Sequence, residues 1–574
     1  MSKLSNNSPQ ICALREYIFK NRPNNKINDI FARTTKSGFI VFLSICNTKR
    51  RSIVVQCKGK TLKSAWEKAE KKAIIMASIN AYEIVWAKAD IVNSSIKIPT
   101  ENLKSEVTNS DDKYFFRRGI AFDEEYNVAF LEEEINCGNL LSYKTAQLSL
   151  DNINKYREIY RGESALTCIP DEIILFSTAG VFCDEKNNVY DLYSNGLDRG
   201  RRVIDIVDDK IADTVIKNAS LYLLNMIQSD GKFIYGYKPI SNKEIRDYNI
   251  LRHTGSIWSL ITYYRITENE EVALKVNSAI DYLINDAIIY RDDDTAYVVE
   301  HKTNEVKIGG NGLAVIMLTE YMDVFKTNKY IKLVGLLANG ILALQDKRSG
   351  KYYHVLNYPD FSDKDEFRTI YYDGEATFAL IKAYSFIREQ KYLDSAVRAV
   401  ENFILKDYTK YRDHWVAYSL NEITKYIPDP LYYEFAMQNV KNNFKIIYHR
   451  PTIGPTFMEL LMAGWQTYER WRENETGDSY LSDFEVRRFA ETIYKRAFHM
   501  LNGYFYPEFA MYLKRPGEIV NTFFTREDSL RIRIDDIQHC IGGYYYYSLY
   551  YNSIRPHLSE EFLSSLMENV RANA

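Results

Sequence analysis

The sequence predicts a mainly α-helical fold: helical hairpins in residues 206–574, preceded by an α/β region in residues 1–205. From Asp208 onward, apolar residues recur at helical spacing, in segments that come in pairs. Corresponding helices lie mostly about 40 to 60 residues apart, a period that indicates an internal helical repeat. Several first helices of a pair end in similar turns rich in Gly, Asp, Lys and Tyr, beginning at Gln228, Gln345 and Asn502.

Six pairs account for this region. The first helices, expected on the outside, are about 210–228, 269–286, 329–345, 391–405, 430–447 and 483–501. The second helices are about 252–265, 311–325, 374–388, 414–425, 455–473 and 535–551. Six such pairs form either an open superhelix or a closed ring. Several second helices are rich in small residues, such as Gly309 and Gly542. Small residues let helices approach closely, so the sequence favours closure.

With its six hairpins, Gly-rich second helices and Asp-Gly turns, the region 206–574 resembles the (α/α)6 toroid. That architecture is shared by six-hairpin glycosidases, unsaturated glucuronyl hydrolases, N-acylglucosamine 2-epimerases, uronate C5-epimerases and lanthionine cyclases. The resemblance implies that the second helices converge on a funnel, whose mouth is lined by the turns that enter them. It is architectural, so it constrains fold more than function. The separate Cys and Cys-His-Gly zinc ligands of the lanthionine cyclases are absent, which excludes that activity.

The N-terminal region is predicted to contain two α/β portions, residues 1–110 and 111–205. In the first, residues 1 to about 30 are polar and expected to be loosely held. Strands are predicted from Gly38 and from Arg51, followed by a helix that Thr61 caps. The polar run 93–112 is predicted to be a linker. In the second portion, strand-like runs occur at 114–120, 128–130, 172–177 and 189–192.

Composition excludes several classes of function. The chain has 574 residues with 74 Lys+Arg against 76 Asp+Glu, and this net charge of −2 gives no general attraction to nucleic acid or anionic membranes. No segment reaches 18 apolar residues without charge, so no membrane span is expected. Residues 1–20 lack an apolar signal core, and we therefore expect a cytoplasmic protein.

No cofactor or metal is predicted. The seven cysteines are scattered and lack CxxC spacing, which argues against a disulfide scaffold or a cysteine-rich zinc site. The run beginning at Gly309 precedes a helix, but it lacks the lysine and the parallel strand of a phosphate-binding loop. The expected partner is an oligosaccharide or polysaccharide. The sequence leaves the sugar, its linkage and the oligomeric state open.

The segment from Thr369 to Tyr384 shows where candidate catalytic residues occur in this chain. An acidic turn runs directly into a helical pattern, so Asp373 and Glu375 lie at a helix N-terminus. Unpaired backbone N–H groups and the helix dipole favour carboxylates there. Similar openings occur at five other second helices, and together they define a predicted mouth of the funnel.

Most of these openings carry titratable groups. The predicted catalytic residues are Asp373, Glu375, Asp413, His414, Asp535 and Asp536. The predicted substrate-binding residues are Arg252, His253, Asn311, Tyr372, Trp415 and His539. Glu459 also lies at a mouth, and Tyr371 adds an aromatic face. All eight histidines lie at or beyond His253, and three of them open second helices.

Three functions fit this set. The leading hypothesis is glycoside hydrolysis of an oligosaccharide or uronate-containing glycan, in which two carboxylates act as acid and as base or nucleophile. The second is a sugar epimerase or polysaccharide lyase with His253, His414 or His539 as base. The third is a non-catalytic scaffold that binds a glycan or a peptide, in which the carboxylates are helix caps. An Asp at a helix start is more often a cap than a catalyst.

Overall fold

A computed structural model describes residues 8–20, 38–109, 114–473 and 480–571, with residues 567–571 as backbone alone. The N-terminal strands are β1 Phe39–Cys46, β2 Ile53–Gly59, β3 Trp86–Pro99, β4 Gly119–Ala121, β5 Ala129–Phe130, β6 Leu141–Ser142, β7 Gln147–Leu148, β8 Glu172–Cys183 and β9 Val189–Asp191. The helices between them are Pro9–Phe19, Leu62–Ile79, Leu103–Thr108, Glu132–Cys137 and Leu150–Tyr156, with short turns at Thr100–Asn102 and Arg157–Arg161.

Seven of these strands form one antiparallel sheet in the order β2-β1-β3-β8-β4-β5, with β9 also paired to β8. Alternate residues of β1 enter two different cores, as the period of a strand requires. Val41 and Leu43 pack with the helix Leu62–Ile79, whereas Ile40 and Phe42 join a core that continues into the C-terminal helices. The sheet is therefore joined to the helical region by apolar packing.

Part of the predicted N-terminal organisation is corrected here. The predicted strands at Phe39 and Ile53 and the Thr61 cap are confirmed. The linker predicted over residues 93–112 is wrong for 93–99, because these residues complete β3 and pair with β8. β8 lies beyond residue 111, so strands from both predicted portions share one sheet.

Residues 9–19, predicted to be loosely held, form a helix instead. It buries Ile11 and Leu14 against the sheet. The rest of the predicted loose segment, residues 1–7 and 21–30, lies outside the described residues.

The six predicted helix pairs are confirmed. We call the first members outer helices 1 to 6: Asp209–Asn225, Glu270–Ala287, Ile331–Ala343, Gln390–Leu405, Pro430–Lys441 and Asp483–Met500. The second members are inner helices 1 to 6: Ile250–Thr267, Ile308–Val324, Tyr371–Ile387, His414–Ile423, Pro455–Glu473 and Ile534–Ile554. Shorter elements are the helices Phe444–Tyr448, Pro507–Ala510, Pro516–Ile519 and Glu560–Arg571 and the 3-10 turns Tyr408–Tyr411, Leu501–Gly503, Arg526–Asp528 and Arg555–His557.

Contacts among the inner helices run in a closed cycle. Each inner helix packs against the next, and inner helix 6 packs against inner helix 1. Each outer helix packs against the inner helix of its own pair or against a neighbouring one. Inner helix 2 is buried around most of its circumference, whereas outer helix 4 buries one stripe, from Tyr392 to Phe403. This difference is the one expected between a helix enclosed by others and a helix on the surface.

Short antiparallel strands join the helices of several pairs. They are β10 Gly236–Lys238, β11 Lys243–Glu244, β12 Ile288–Tyr290, β13 Ala296–Glu300, β14 Glu305–Lys307, β15 Val355–Asn357, β16 Asp363–Asp365 and β17 Ile532–Arg533. They form a five-stranded sheet, β12 to β16, and a three-stranded sheet in the order β11-β10-β17. In the part of the chain that the structure describes, no helix has the length and apolar character needed to cross a membrane.

Candidate active site at the start of the inner helices

The starts of the inner helices bring polar side chains from distant parts of the sequence together. Arg252, in the first turn of inner helix 1, forms an ion pair with Asp535 at the start of inner helix 6, with 3.1 Å between Nε and Oδ2. Arg533, at the end of β17, also pairs with Asp535. The Arg252 side chain is 37% exposed, whereas that of Asp535 is 3% exposed. This contact joins the first and last helices of the cycle and leaves a cation partly accessible at the mouth.

Glu375, on inner helix 3, is a buried carboxyl group in contact with inner helix 2. A Cβ atom placed on Gly309 would lie 2.1 Å from Glu375 Oε2, so this approach requires glycine. Glu375 Oε2 has no hydrogen-bond partner. Burial raises the pKa of Glu375 to about 8, although the charge of Arg252 acts in the opposite direction. Glu375 is therefore a protonated acid at neutral pH.

Asp413 is both a helix cap and a buried acid. Its Oδ1 accepts a hydrogen bond of 2.9 Å from the backbone N–H of Trp415, which confirms the cap at the start of inner helix 4. Its Oδ2 has no hydrogen-bond partner. Burial raises the pKa of Asp413, and the neighbouring carboxyl groups of Glu375 and Asp373 raise it further. Oδ1 of Asp413 therefore caps the helix, whereas Oδ2 remains free for a chemical role.

Two histidines and one glutamate meet beside these acids. His539 of inner helix 6 lies with Nδ1 2.7 Å from Oε2 of Glu459, on inner helix 5. Glu459 Oε1 accepts a hydrogen bond from Tyr418, and a Cβ atom on Gly542 would come within 2.8 Å of it. Glu459 thus fixes the imidazole of His539, the arrangement of a base with its orienting carboxylate.

His414, on inner helix 4, lies opposite His539. Their ring centroids are 5.2 Å apart, with the planes 84° to each other. His414 is buried, and neither of its ring nitrogens has a hydrogen-bond partner. Its Nε2 lies 3.7 Å from Glu459 Oε2, beyond hydrogen-bond distance. The hydrogen-bonding capacity of both nitrogens is therefore unused within the part of the protein that the structure describes.

The two histidines have pKa values shifted in opposite directions. Burial lowers the pKa of His414, and the charges of His539 and Arg252 lower it further. Burial also acts to lower the pKa of His539, but the negative charge of Glu459 and its hydrogen bond outweigh that effect and raise it. These shifts favour the neutral imidazole at His414 and the protonated form at His539. Opposed shifts in one site are typical of an acid–base pair.

The same three side chains are the only group among the described residues whose nitrogen and oxygen ligand atoms could surround a metal ion. Those atoms of His414, Glu459 and His539 lie within 4.8 Å of one another. Two ligands of one Zn²⁺ ion lie roughly 3.3 Å apart when each bond is about 2.0 to 2.1 Å. The Nδ1–Oε2 separation of 2.7 Å between His539 and Glu459 is a hydrogen bond instead. The present geometry fits proton transfer better than metal binding.

Aromatic side chains border the cluster. The ring of Tyr371, which is 42% exposed, lies 5.8 Å from that of His414. Trp415 is buried and stacks on Trp258 of inner helix 1, with centroids 5.9 Å apart. Tyr372 lies against Gly309, and burial, together with the charge of Glu375, raises its pKa. Tyr371 is the accessible aromatic face, whereas Trp415 supports the cluster from within.

Three of the predicted catalytic carboxylates are already engaged by other protein groups, through hydrogen bonds or ion pairs. Asp373 Oδ1 lies 3.2 Å from Nε2 of His354, and its Oδ2 accepts a 3.1 Å hydrogen bond from Tyr408. Asp535 pairs with two arginines, as described above. Asp536 pairs with Arg531 and Arg533 and accepts a hydrogen bond from Thr525. We therefore assign these three residues positioning roles.

Two predicted substrate-binding residues are corrected because their polar atoms are used inside the protein. His253 is fully buried; its ring nitrogens lie 2.7 Å from the Tyr248 hydroxyl and 2.9 Å from the carbonyl oxygen of Ala279. Asn311 is buried and bonds three backbone groups, one each on Ala296, Val298 and Leu337. Both side chains hold helices and strands together.

Glu459 is a functional candidate whose role appears only in the structure. In the sequence it lies at a mouth, and its position shows only that it is in the first turns of a helix. The signal that identifies it is its hydrogen bond to His539, across 80 positions of the sequence. His354, which orients Asp373, lies in a strand connection and had no sequence signal at all.

The fold has counterparts among solved structures. No family model and no curated protein matches the sequence. A D-mannose isomerase is similar in structure, with a TM-score of 0.46 and 11% identity over 60% of this chain and 97% of the other. For a cellobiose 2-epimerase from Bacillus thermoamylovorans the TM-score is 0.42, at 12% identity over 52% of this chain and 87% of the other.

A glycoside hydrolase family 76 mannosidase from Bacteroides thetaiotaomicron has a TM-score of 0.43, at 10% identity over 60% of this chain and 99% of the other. These three proteins carry different activities. At such identities and TM-scores the similarities concern overall architecture, and they transfer no activity to this chain.

Proposed function

We propose that residues 206–574 form an (α/α)6 toroid and that the starts of its inner helices are the active site of a sugar epimerase or isomerase. The reaction is proton transfer at a sugar carbon next to a carbonyl group. The observation that carries the proposal is the facing pair His414 and His539, whose environments shift their pKa values in opposite directions. Such a pair can remove a proton from one position and supply a proton to another.

The roles follow from the protonation states. Neutral His414 accepts the proton of the C–H bond, and the bonding electrons pass into an enediol or enolate. For epimerisation, protonated His539, oriented by Glu459, then donates a proton to the same carbon from the opposite face. For isomerisation it protonates the neighbouring carbon, while the hydroxyl proton moves from one enediol oxygen to the other. In the reverse reaction the two histidines exchange roles. The direction of each pKa shift favours the protonation state that the step requires.

Glu375 and Arg252 are suited to stabilise the negative charge that develops on the substrate oxygen. Glu375 is a buried acid that keeps its proton at neutral pH, so it can donate a hydrogen bond to that oxygen. Arg252 supplies a fixed positive charge held by Asp535. Donors that are already oriented in a site poor in water stabilise such charge strongly.

A sugar is the proposed substrate because the mouth combines many hydrogen-bonding groups with one accessible aromatic face. Tyr371 offers that face beside His414. Glu375, Asp413 and the histidines provide hydrogen-bond donors and acceptors for hydroxyl groups. The solved structures of similar architecture are named for activities on mannose, cellobiose and mannosides, which agrees with this substrate class.

Glycoside hydrolysis is the second candidate, favoured by one observation. Glu375 has the raised pKa of a general acid, and Asp413 Oδ2 is an unpartnered carboxyl oxygen close to it. Hydrolysis also requires an ionised base or nucleophile. Because the pKa of Asp413 is raised as well, Glu375 and Asp413 can supply a general acid more readily than an ionised base or nucleophile. His414 and His539, by contrast, have pKa shifts in the two directions that an acid and a base require.

The product distinguishes these functions. The protein is incubated in D2O with D-mannose, cellobiose or α-1,6-mannotriose, and each sugar is followed by NMR and by a reducing-end assay. We expect deuterium to enter a carbon position of at least one sugar while the number of reducing ends stays constant. New reducing ends without exchange would instead establish hydrolysis. Binding without either change would favour the scaffold hypothesis.

A metal-dependence control accompanies this assay. The acid–base proposal predicts that the exchange rate is the same after dialysis against EDTA as before it. A rate that disappears on chelation and returns with Zn²⁺ would contradict the assignment of His414, Glu459 and His539 as a proton-transfer group.

A further inference from the structure

A groove lies outside the mouth, beside the three-stranded sheet β11-β10-β17. The groove has a volume of about 540 Å³ and is lined by residues of outer helix 1, by Tyr237 of strand β10 and by residues 517–521. Strand β10 pairs with β17, and Gly236 is aligned with Arg533, which contacts Asp535 and Asp536 at the mouth. One small sheet therefore borders both the groove and the proposed active site.

The lining of this groove is rich in neutral hydrogen-bonding groups. Four asparagine amides and two tyrosines contribute to it: Asn218, Asn225, Asn242, Asn521, Tyr222 and Tyr237. Each amide provides two N–H donors and an acceptor oxygen, which matches hydroxyl groups that donate and accept. The rings of the two tyrosines add apolar area with a polar tip. This combination suits a ligand that has both hydroxyl groups and C–H faces.

The charges of the groove narrow the ligand class. Among the described residues that line it, Glu518 is the only one with a formal charge. A phosphate or a nucleic acid backbone would meet a carboxylate and no lysine, arginine or histidine. An acidic sugar would be repelled for the same reason. A neutral oligosaccharide meets no opposing charge.

Two of the amides are held in place before any ligand binds. Asn218 Nδ2 donates a 3.2 Å hydrogen bond to the hydroxyl oxygen of Tyr504, and that hydroxyl donates a 3.4 Å hydrogen bond to Asn521 Oδ1. The Tyr504 bridge uses one polar atom of each amide and fixes the other in the groove. Pre-oriented amides lose little conformational entropy when a ligand binds.

We propose that this groove is a binding subsite for neutral oligosaccharides, separate from the catalytic mouth. It takes from the proposed function only that the ligand is a sugar. A chain bound at the groove would be held next to the sheet that borders the mouth, which raises the effective concentration of its end at the active site. The groove therefore favours oligomeric substrates over monosaccharides.

Binding is measured by calorimetry with cellohexaose and α-1,6-mannotetraose, using a His414→Gln/His539→Gln variant so that no turnover occurs. Adding Tyr222→Ala and Asn225→Ala to that variant is expected to weaken the binding of at least one probe tenfold or more. Thr214→Ala, at an exposed position of the same helix outside the groove, serves as the control and is expected to leave the affinity unchanged. Equal affinity in all three proteins, or no binding of either probe, would overturn the proposal.

Two further measurements separate this inference from the proposed function. Asn225→Ala alone, at an exposed position that tolerates truncation, is expected to lower kcat/KM for an oligosaccharide and not for D-mannose. Glu518→Gln is expected to improve the binding of an oligogalacturonate by removing the like charge. If the groove variants lose oligosaccharide binding although the protein shows no exchange activity, the reaction assigned to the mouth is wrong and the groove assignment stands.

Discussion

Two clusters of buried charge in this molecule differ in how completely their groups are paired. Where the N-terminal sheet meets the helical region, Lys88 lies 3.2 Å from Asp90 and 2.5 Å from Glu133, and all three side chains are at most 5% exposed. Nearby, Arg161 holds Glu134 with two nitrogens. At the mouth of the inner helices, Glu375 and His414 are equally buried and have polar atoms without hydrogen-bond partners.

The two clusters therefore have different roles. Burying a polar or charged group costs free energy unless it is paired, so a buried unpaired group requires an explanation, and a chemical role is one such explanation. The interface cluster pairs Lys88 of β3 with Asp90 and with Glu133 of the helix Glu132–Cys137, although burial still raises the pKa of Asp90 to about 6. At the mouth, burial shifts the pKa values of Glu375 and His414 toward their neutral forms, which leaves them able to exchange protons. Changes in the first cluster should act on stability, and changes in the second on catalysis.

The largest expected effect is on catalysis. His414→Gln or His539→Gln should lower kcat/KM for proton exchange by about 10²- to 10⁴-fold, because each removes an acid or a base from the reaction. The Tm should change little in comparison. The matched control is His449→Gln, an exposed histidine away from the mouth. A parallel loss of activity and folding in both mouth variants would place these histidines with the structural cluster instead.

The next effect is on stability alone. Lys88→Met leaves Asp90 and Glu133 buried without their cation, and we expect unfolding to become easier by about 3 to 5 kcal/mol. The measurement is chemical denaturation, together with kcat/KM per folded molecule, which should not change. Lys302→Met provides the control, because it removes an ion pair with Asp247 that is exposed to solvent and should contribute little to stability. Equal destabilisation by both variants would contradict the role given to the interface cluster.

Asp373→Asn tests whether a carboxylate at the mouth contributes to stability or to catalysis. Asp373 lies at the mouth but is bonded to His354 and Tyr408, so its loss should destabilise the protein by about 1 to 3 kcal/mol. Activity measured well below the Tm should remain close to that of the wild type. A loss of activity above 100-fold at unchanged Tm would return Asp373 to the catalytic group.

Glu375→Gln gives the most specific effect, a change in how stability depends on pH. The folded-state pKa of about 8 exceeds the ordinary value of 4.5, so the folded protein binds more protons between these values and loses stability as pH rises. The difference in unfolding free energy between wild type and Glu375→Gln should therefore change by about 1.4 kcal/mol per pH unit in this window. The change should favour the variant at higher pH and stop above about pH 8.

Glu422→Gln is the matched control for that titration. Glu422 is also a buried glutamate on an inner helix, but Lys425 and Lys382 hold its pKa below the ordinary value. Its stability contribution is lost on acidification instead, so the slope between pH 6 and 8 should equal that of the wild type. A flat difference between wild type and Glu375→Gln would show that Glu375 is ionised in the folded protein.

The helical region shows how much of the fold local sequence patterns can predict. All six pairs were predicted from apolar residues at helical spacing, because that spacing depends on neighbours three and four positions apart. The N-terminal sheet was harder. Residues 93–99 read as a polar linker because their side chains are mostly exposed, yet their backbone pairs with β8, more than 70 positions away. Backbone pairing between distant strands leaves little trace in the polarity of either strand.

The sequence by itself determined which residues open the inner helices, since caps, glycines and periodicity are local features. Only the tertiary structure decided which of those residues are chemically available. Asp373, Glu375 and Asp413 have the same type of position in the sequence, but His354 and Tyr408 satisfy the first, whereas the other two keep unpartnered oxygens. Burial and the charge of distant neighbours set protonation, and both arise when separate helices pack together.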